Sequence, residues 1–245
     1  MWKAIHGAVQ GRSHKRENIP GQDRTCSYAG QNVFCAALAD GAGSEPLSHI
    51  GAEQAVKAGA VYLCEHFDEF YESGEDKEIQ VTKLIDCVRR QLAKTAAEHG
   101  LDNIGELSST LLLAAVKEDK LVTVHIGDGV VAAIVKGKPI VLSGPKNGEY
   151  LNVTYFTTSK NVMEGTEIYC GLNRDIEAVV LMSDGSGDNF YDRHQNTLVP
   201  ILAEIVQKLK HMQEAQAEVQ LRGVLEYIAG QNTQDDCSLA VLVQE

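Results

Sequence analysis

Aspartate recurs at the ends of apolar runs in this 245-residue chain. Asp40-Gly41 closes the run 32–39, and Ser183-Asp184-Gly185-Ser186-Gly187-Asp188 closes a second run ending at Met182. Asp128 lies between two such runs, Asp235-Asp236 opens the last one, and Gln22-Asp23 sits in the first polar loop. Carboxylates at strand ends are rigidly held and can converge across a sheet, while glycines beside them let carbonyls and water approach. Gathered carboxylates repel one another unless cations occupy the gap. Oxygen-only ligation selects hard ions, magnesium or manganese in particular. Two such ions about 3.5–4 Å apart can share a water, acidify it and aim it at phosphorus, so no nucleophilic side chain is needed. One Asp-Gly pair alone reads as a turn, and Asp128-Gly129 as a hairpin turn; the chemistry rests on the set.

Elements must hold these residues in place. Apolar runs predict strands over 4–9 and 32–39, the second leading into the flexible turn Asp40-Gly41-Ala42-Gly43-Ser44. Helical spacing follows over 48–67, through Ile50, Ala55, Ala58, Val61 and Tyr62. It returns over 79–99, through Leu84, Val88, Leu92 and Ala96, with an acidic turn at 69–78 and a stop at Gly100. Strands are expected over 107–116, 121–126 and 130–135, joined by connections short enough for hairpins at Asp119-Lys120 and Gly127-Asp128-Gly129. An edge strand at 139–142, a loop at 143–150 and strands at 167–169 and 178–182 come next. A helical region over 196–228, interrupted near 211–214 and ended by Gly230, precedes the last strand at 237–243. This order suits two packed antiparallel sheets covered by helices better than repeated βαβ units. The length suits one domain spanning 1–245.

Composition narrows the class. Hydrophobic residues make up 44% and charged residues 23%, as in an ordinary globular domain. A formal charge of -12 repels nucleic acid and anionic lipid, so neither is expected as a partner. There is no run of 18 or more apolar residues and no signal region at the N-terminus. The six cysteines include no Cys-x-x-Cys pair and sit mostly in apolar runs, which fits buried thiols in a reducing, cytoplasmic setting.

Taken in order, Gln22-Asp23, Ala39-Asp40-Gly41-Ala42-Gly43, Ile126-Gly127-Asp128-Gly129, Leu181-Met182-Ser183-Asp184-Gly185 and Asp235-Asp236-Cys237-Ser238 resemble the metal-dependent serine/threonine protein phosphatases of type 2C, in a compact bacterial form. Leu107-Ser108-Ser109-Thr110 resembles the strand start that accompanies them. The resemblance covers essentially the whole chain. It implies an α+β fold, a four-layer α/β/β/α sandwich with two antiparallel sheets flanked by helices and the acidic cluster at one end. It also implies hydrolysis of phosphoserine and phosphothreonine on protein substrates with two Mg2+ or Mn2+ ions.

By position, Asp40 would bridge the two ions and Gly41 would offer its carbonyl. Asp184 and Asp235 would complete the first site, and Asp23 would serve the second. Asp188 matches a position that helps bind a weaker third ion, while Asp128 matches a support residue without an assigned ligand role. The chain departs from the pattern at Gln22, where glutamate is usual, at Ala42, where some members carry histidine, and at Asp236, where asparagine is usual. The phosphate-binding arginine has no clean match. His14 and Arg12 are the first candidates for contacting phosphate, ahead of Lys15 and Arg16. Glu149 and Tyr150 fall where relatives carry a flap that contacts substrate. Gln22 and Ala42 keep a second reading open, a catalytically weak scaffold that binds a kinase or another protein. A phosphomonoesterase for small molecules is the third.

Overall fold

The computed structural model describes residues 1–146 and 154–245. The chain begins with strand β1 (Trp2–Val9), a short helix α1 (Arg12–Glu17) and the hairpin β2 (Arg24–Gly30) and β3 (Val33–Ala39). Helices α2 (Ser48–Glu65), α3 (Phe67–Glu72) and α4 (Lys77–His99) follow. Then come β4 (Leu111–Lys117), β5 (Lys120–Ile126), β6 (Val130–Val135), β7 (Lys138–Ser143), β8 (Thr166–Leu172) and β9 (Ile176–Met182). The C-terminal part holds α5 (Asp184–Phe190), a small hairpin of β10 (Tyr191–Asp192) and β11 (Thr197–Leu198), α6 (Ile201–Lys210), α7 (Glu214–Gln231) and β12 (Cys237–Gln244).

Two five-stranded antiparallel sheets form the centre, in the orders β1-β12-β9-β6-β7 and β2-β3-β4-β5-β8. Both faces of the central strands are covered, which is why β3, β4 and β6 read as continuous apolar runs with no polar alternation. On β3, Ala36 and Leu38 point between the sheets, where they meet Leu112, Leu181 and Leu242. Cys35, Ala37 and Ala39 alternate with them and face the layer of α2 and α4. The other sheet divides in the same way, with Val131 and Val179 inward and Ala132 and Val180 toward α6 and α7. The period of two survives as a choice between two apolar layers. The result is the expected α+β sandwich, with helices on both outer faces.

Five expected elements differ, the first being the acidic turn at 69–78, where α3 runs on to Glu72 and α4 already starts at Lys77. The Gly127-Asp128-Gly129 connection is no hairpin: β5 pairs with β4 and β8, whereas β6 pairs with β7 and β9 in the other sheet. The chain crosses between sheets there. Gly127 adopts φ 113°, a left-handed conformation that a side chain would strain, and an added Cβ would lie 2.6 Å from Thr110. The strand expected from 107 starts only at Leu111, because Ile104–Leu107 is a 3-10 turn and residues 108–110 pair with the Asp40 loop. The helical region expected from 196 begins at Ile201, after β11. The polar loop before Asp23 contains α1, whose six residues bury no side chain and so carry no apolar period. Glu149 and Tyr150 lie outside the described residues.

Candidate active site

The predicted acidic residues collect at one end of the sandwich, around a cavity of about 500 Å³. Its lining includes Ser13, His14, Gln22, Asp40, Gly41, Thr110, Asp128, Thr154, Phe156, Asp184, Gln234 and Asp235. Each aspartate arrives on a different connection. Asp40 follows β3, Asp128 occupies the crossover from β5 to β6, Asp184 starts α5 directly after β9, and Asp235 precedes β12. Asp23 lies just before β2, behind Asp40 and almost fully buried.

Backbone bonds fix the Asp40 loop from both sides. The Asp40 N–H donates to Thr110 Oγ1 (2.9 Å) and the Thr110 N–H to the Asp40 carbonyl (2.8 Å). Gly41 N–H donates to the Gln22 carbonyl (3.3 Å) and Ala42 N–H to the Ser108 carbonyl (2.9 Å). On the other side of the cluster, Ser183 and Ser238 are tied together, with Ser238 N–H donating to Ser183 Oγ (3.1 Å). That bond locks the starts of α5 and β12, and with them Asp184 and Asp235, to each other.

The electrostatics are those of carboxylates short of positive charge. Burial raises the pKa of Asp40 well above the ordinary carboxylate range, and Asp23, Asp184 and Asp235 raise it further. Burial lifts Asp23 to about 7 against opposing help from Ser238. Asp184 rises to about 6, first through burial and then through Asp128 and Asp235. Asp235 rises for the same first reason, with His14 working the other way. Among the described residues, neither oxygen of Asp23 completes a hydrogen bond, although Ser183, Ser238 and Asp40 face it. Buried polar atoms are rarely left in this state without something else to satisfy them.

Those orphaned oxygens and the purely oxygen donor set fit hard divalent cations. Among the described residues, no three His, Cys, Asp or Glu side chains already form a closed cage around one point. Asp23, Asp40, Asp184, Asp235 and the Gly41 carbonyl are the groups able to complete one.

Other expected residues lie elsewhere. Asp188 is exposed on α5, paired with Arg193 at 3.2 Å, and does not line the cavity. Arg12 is exposed and donates through Nε to the Thr233 carbonyl (3.0 Å). His14 lines the cavity with Nδ1 2.9 Å from Asp236 Oδ1. Gln22 lines it too, but its amide donates to the Glu45 carbonyl (3.2 Å) and holds the loop after Ala42. Among the described residues, no Arg or Lys lines the cavity.

Thr110, Thr154 and Asp236 escaped the sequence reading as parts of the site. Thr154 Oγ1 donates to Asp128 Oδ2 (2.5 Å), a pairing between distant loops that no local pattern announces. Asp236 showed in the sequence as the second member of an acidic doublet and as a departure from the family's asparagine, with no role assigned. Its carboxylate turns inward, away from the solvent that an ordinary second aspartate would seek.

Known proteins share the fold and the family of this chain. The chain is 26% identical over 192 residues to serine/threonine-protein phosphatase 3 of Escherichia coli (strain K12), covering 75% of this chain and 73% of that one. The Streptococcus agalactiae (S. agalactiae) serine/threonine phosphatase superposes with a TM-score of 0.71 over 100% of both chains, at 16% identity. The Mycobacterium tuberculosis serine/threonine phosphatase does so with a TM-score of 0.61, covering 100% of this chain and 99% of that one, at 14% identity. Among the described residues, no helix is long and apolar enough to cross a membrane. The family model described as Protein phosphatase 2C matches residues 10–226, and the chain belongs to that family.

Proposed function

We propose that this protein hydrolyses phosphoserine and phosphothreonine on protein substrates and needs two Mg2+ or Mn2+ ions to do so. One observation carries the reading: the cavity is lined by four aspartates and by no Arg or Lys among the described residues. A phosphate dianion placed there meets four carboxyl groups with no Arg or Lys to offset them, so cations must come with it. Asp40, Asp184, Asp235 and the Gly41 carbonyl would hold them, with Asp23 behind Asp40. When bound, they supply positive charge to the phosphoryl oxygens and acidify water.

The remaining work falls to side chains of this chain. The hydroxyls of Ser13 and Thr154 and the amide of Gln234 lie where they can orient the phosphate and the residues around it. His14 brings an imidazole to the cavity wall, and it would give a proton to the departing serine or threonine oxygen. The E. coli relative is a serine/threonine-protein phosphatase, which supports the choice of substrate.

The test is manganese-dependent release of phosphate from a phosphothreonine peptide and from p-nitrophenyl phosphate. Turnover of both with added Mn2+, lost on chelation, is the expected result. Silence toward both would leave the scaffold reading, and turnover of the small ester alone would favour a small-molecule phosphatase.

A further inference from the structure

The Asp236 carboxylate collects three donors from two separate stretches of chain. Gly11 N–H donates to Oδ1 at 2.6 Å, His14 Nδ1 lies 2.9 Å from the same oxygen, and Gln22 N–H donates to Oδ2. The carboxylate is 2% exposed. It therefore sits at the junction of the α1 segment, the start of β2 and the start of β12.

The first turn of α1 is fastened to this junction by further bonds. Ser13 donates to the Gln234 carbonyl through both its N–H (3.0 Å) and its hydroxyl (2.6 Å). Gly11 comes so close to the Asp235 backbone that an added Cβ would lie 2.3 Å from the Asp235 carbonyl carbon. The His14 backbone therefore has little freedom, and one strong bond is enough to select the direction of its ring.

That bond also settles the tautomer. Both oxygens of Asp236 already accept backbone N–H groups, so the carboxyl group acts as an acceptor toward the ring and Nδ1 carries the hydrogen they share. Nε2 is the ring's other polar atom, and no described residue takes it. The ring is 14% exposed and lines the cavity.

We propose that Asp236 is a positioning residue that holds His14 by Nδ1 and so aims Nε2 at the oxygen leaving the phosphoryl group. The proposal rests on the phosphatase reading above. The proton passes from His14 Nε2 to the serine or threonine oxygen as the P–O bond breaks, and the leaving alcohol departs neutral. Water supplies the oxygen that replaces it on phosphorus. An aspartate at this position, in place of an amide, offers two acceptor oxygens and no donor, so it can take all three donors at once.

Two measurements on the full-length protein test this. In long-range 1H–15N spectra of the Mg2+-loaded protein, His14 is expected to carry hydrogen on Nδ1, and Asp236→Asn is expected to abolish that preference. A wild-type ring with bare Nδ1 would overturn the proposal whatever the kinetics show. The second measurement exploits the leaving group, because an alkoxide needs a proton and p-nitrophenolate does not. With Mn2+, Asp236→Asn should lower kcat on a phosphothreonine peptide by about 10- to 100-fold, less than the full worth of a general acid, and leave p-nitrophenyl phosphate nearly untouched. His14→Gln should show the same split, and the double variant should be no worse than the weaker single one. Equal losses on both substrates would make Asp236 a plain structural support and sink the proposal, as would no loss on either. A wild type inert toward both esters would instead sink the phosphatase reading and this proposal with it. Should Asp236→Asn fail to fold, the wild-type spectrum and His14→Gln still decide the question.

Discussion

Asp23 packs behind Asp40 at the cavity wall, and each carboxyl group sits in the field of the other. Burial raises both, but the charge on Asp23 raises Asp40 further while Asp40 partly lowers Asp23. Each folded pKa lies above the unfolded value of 3.8, with Asp23 at about 7 and Asp184 at about 6. Between these limits the native state binds more protons than the unfolded one, so stability falls as pH rises. The contribution is complete below the unfolded pKa and is lost as pH climbs through 6 and 7. The metal-free protein is therefore expected to melt at a higher temperature at pH 5.5 than at pH 7.5. Added Mn2+ should raise the midpoint more at pH 7.5, where protons no longer compete for the oxygens. A metal-free midpoint that climbs with pH across this range would contradict the cluster.

Asp40→Asn separates function from fold in the same cluster. It removes a buried carboxyl group whose ionised form burial and three neighbouring aspartates oppose. The variant is expected to melt higher than the metal-free wild type at pH 7.5 and to gain less from Mn2+. Turnover should fall by about 10²–10³-fold or more, as for other preorganised groups around a reacting centre. Calorimetry and phosphate release check the two halves independently. A variant that keeps full turnover would remove Asp40 from the centre.

Asp188 gives the opposite expectation. Its partner Arg193 is 47% exposed and Asp188 itself 61%, so their ion pair works in high dielectric and adds little. Asp188→Ala should change stability by no more than about 0.5 kcal/mol. Its proposed part in a weaker third site would show as a changed dependence of turnover on Mn2+ at high concentration, with tight uptake of metal unaltered. Titration calorimetry distinguishes the two.

The aspartates were legible because each sits where an apolar run stops, and stops are what a sequence displays best. Helices α2 and α4 were legible through periodic residues such as Leu84, Val88 and Leu92, which face the sheet layer. Pairing partners were not legible. Nothing in Gly127-Asp128-Gly129 says that β5 and β6 join different sheets, since a short glycine-rich connection serves a hairpin as well as a crossover. The strand faces were hidden for a related reason, because both sides of the central strands meet apolar layers and the alternation between Ala36 and Ala37 carries no polar signal. Asp236 was hidden because its role depends on donors more than 200 positions away.

His125 on β5 supplies a pH dependence of the opposite sign. Its ring is fully buried, with Nδ1 2.6 Å from Ser143 Oγ. Ser143 gives its one hydrogen to Glu167 Oε2 (2.9 Å), so it must accept from His125, and Nδ1 carries the hydrogen. Lys146 Nζ completes the chain on the same Glu167 oxygen at 2.9 Å. Burial pushes the His125 pKa down to about 4, from an ordinary 6.5. Here the unfolded state binds the extra proton, so the contribution is complete above pH 6.5 and is lost as pH falls toward 4. His125→Gln retains a donor for Ser143 and removes the titrating group. At pH 7.5 it should cost about 1 kcal/mol, or roughly 2–4 °C in the melting midpoint, for one imperfectly replaced buried bond. As pH falls to 4.5 the gap to wild type should close, because the wild type alone must now expel a proton on folding. Thermal melts of both proteins at matched pH check it, and a gap that widens in acid would show that His125 is protonated inside the fold.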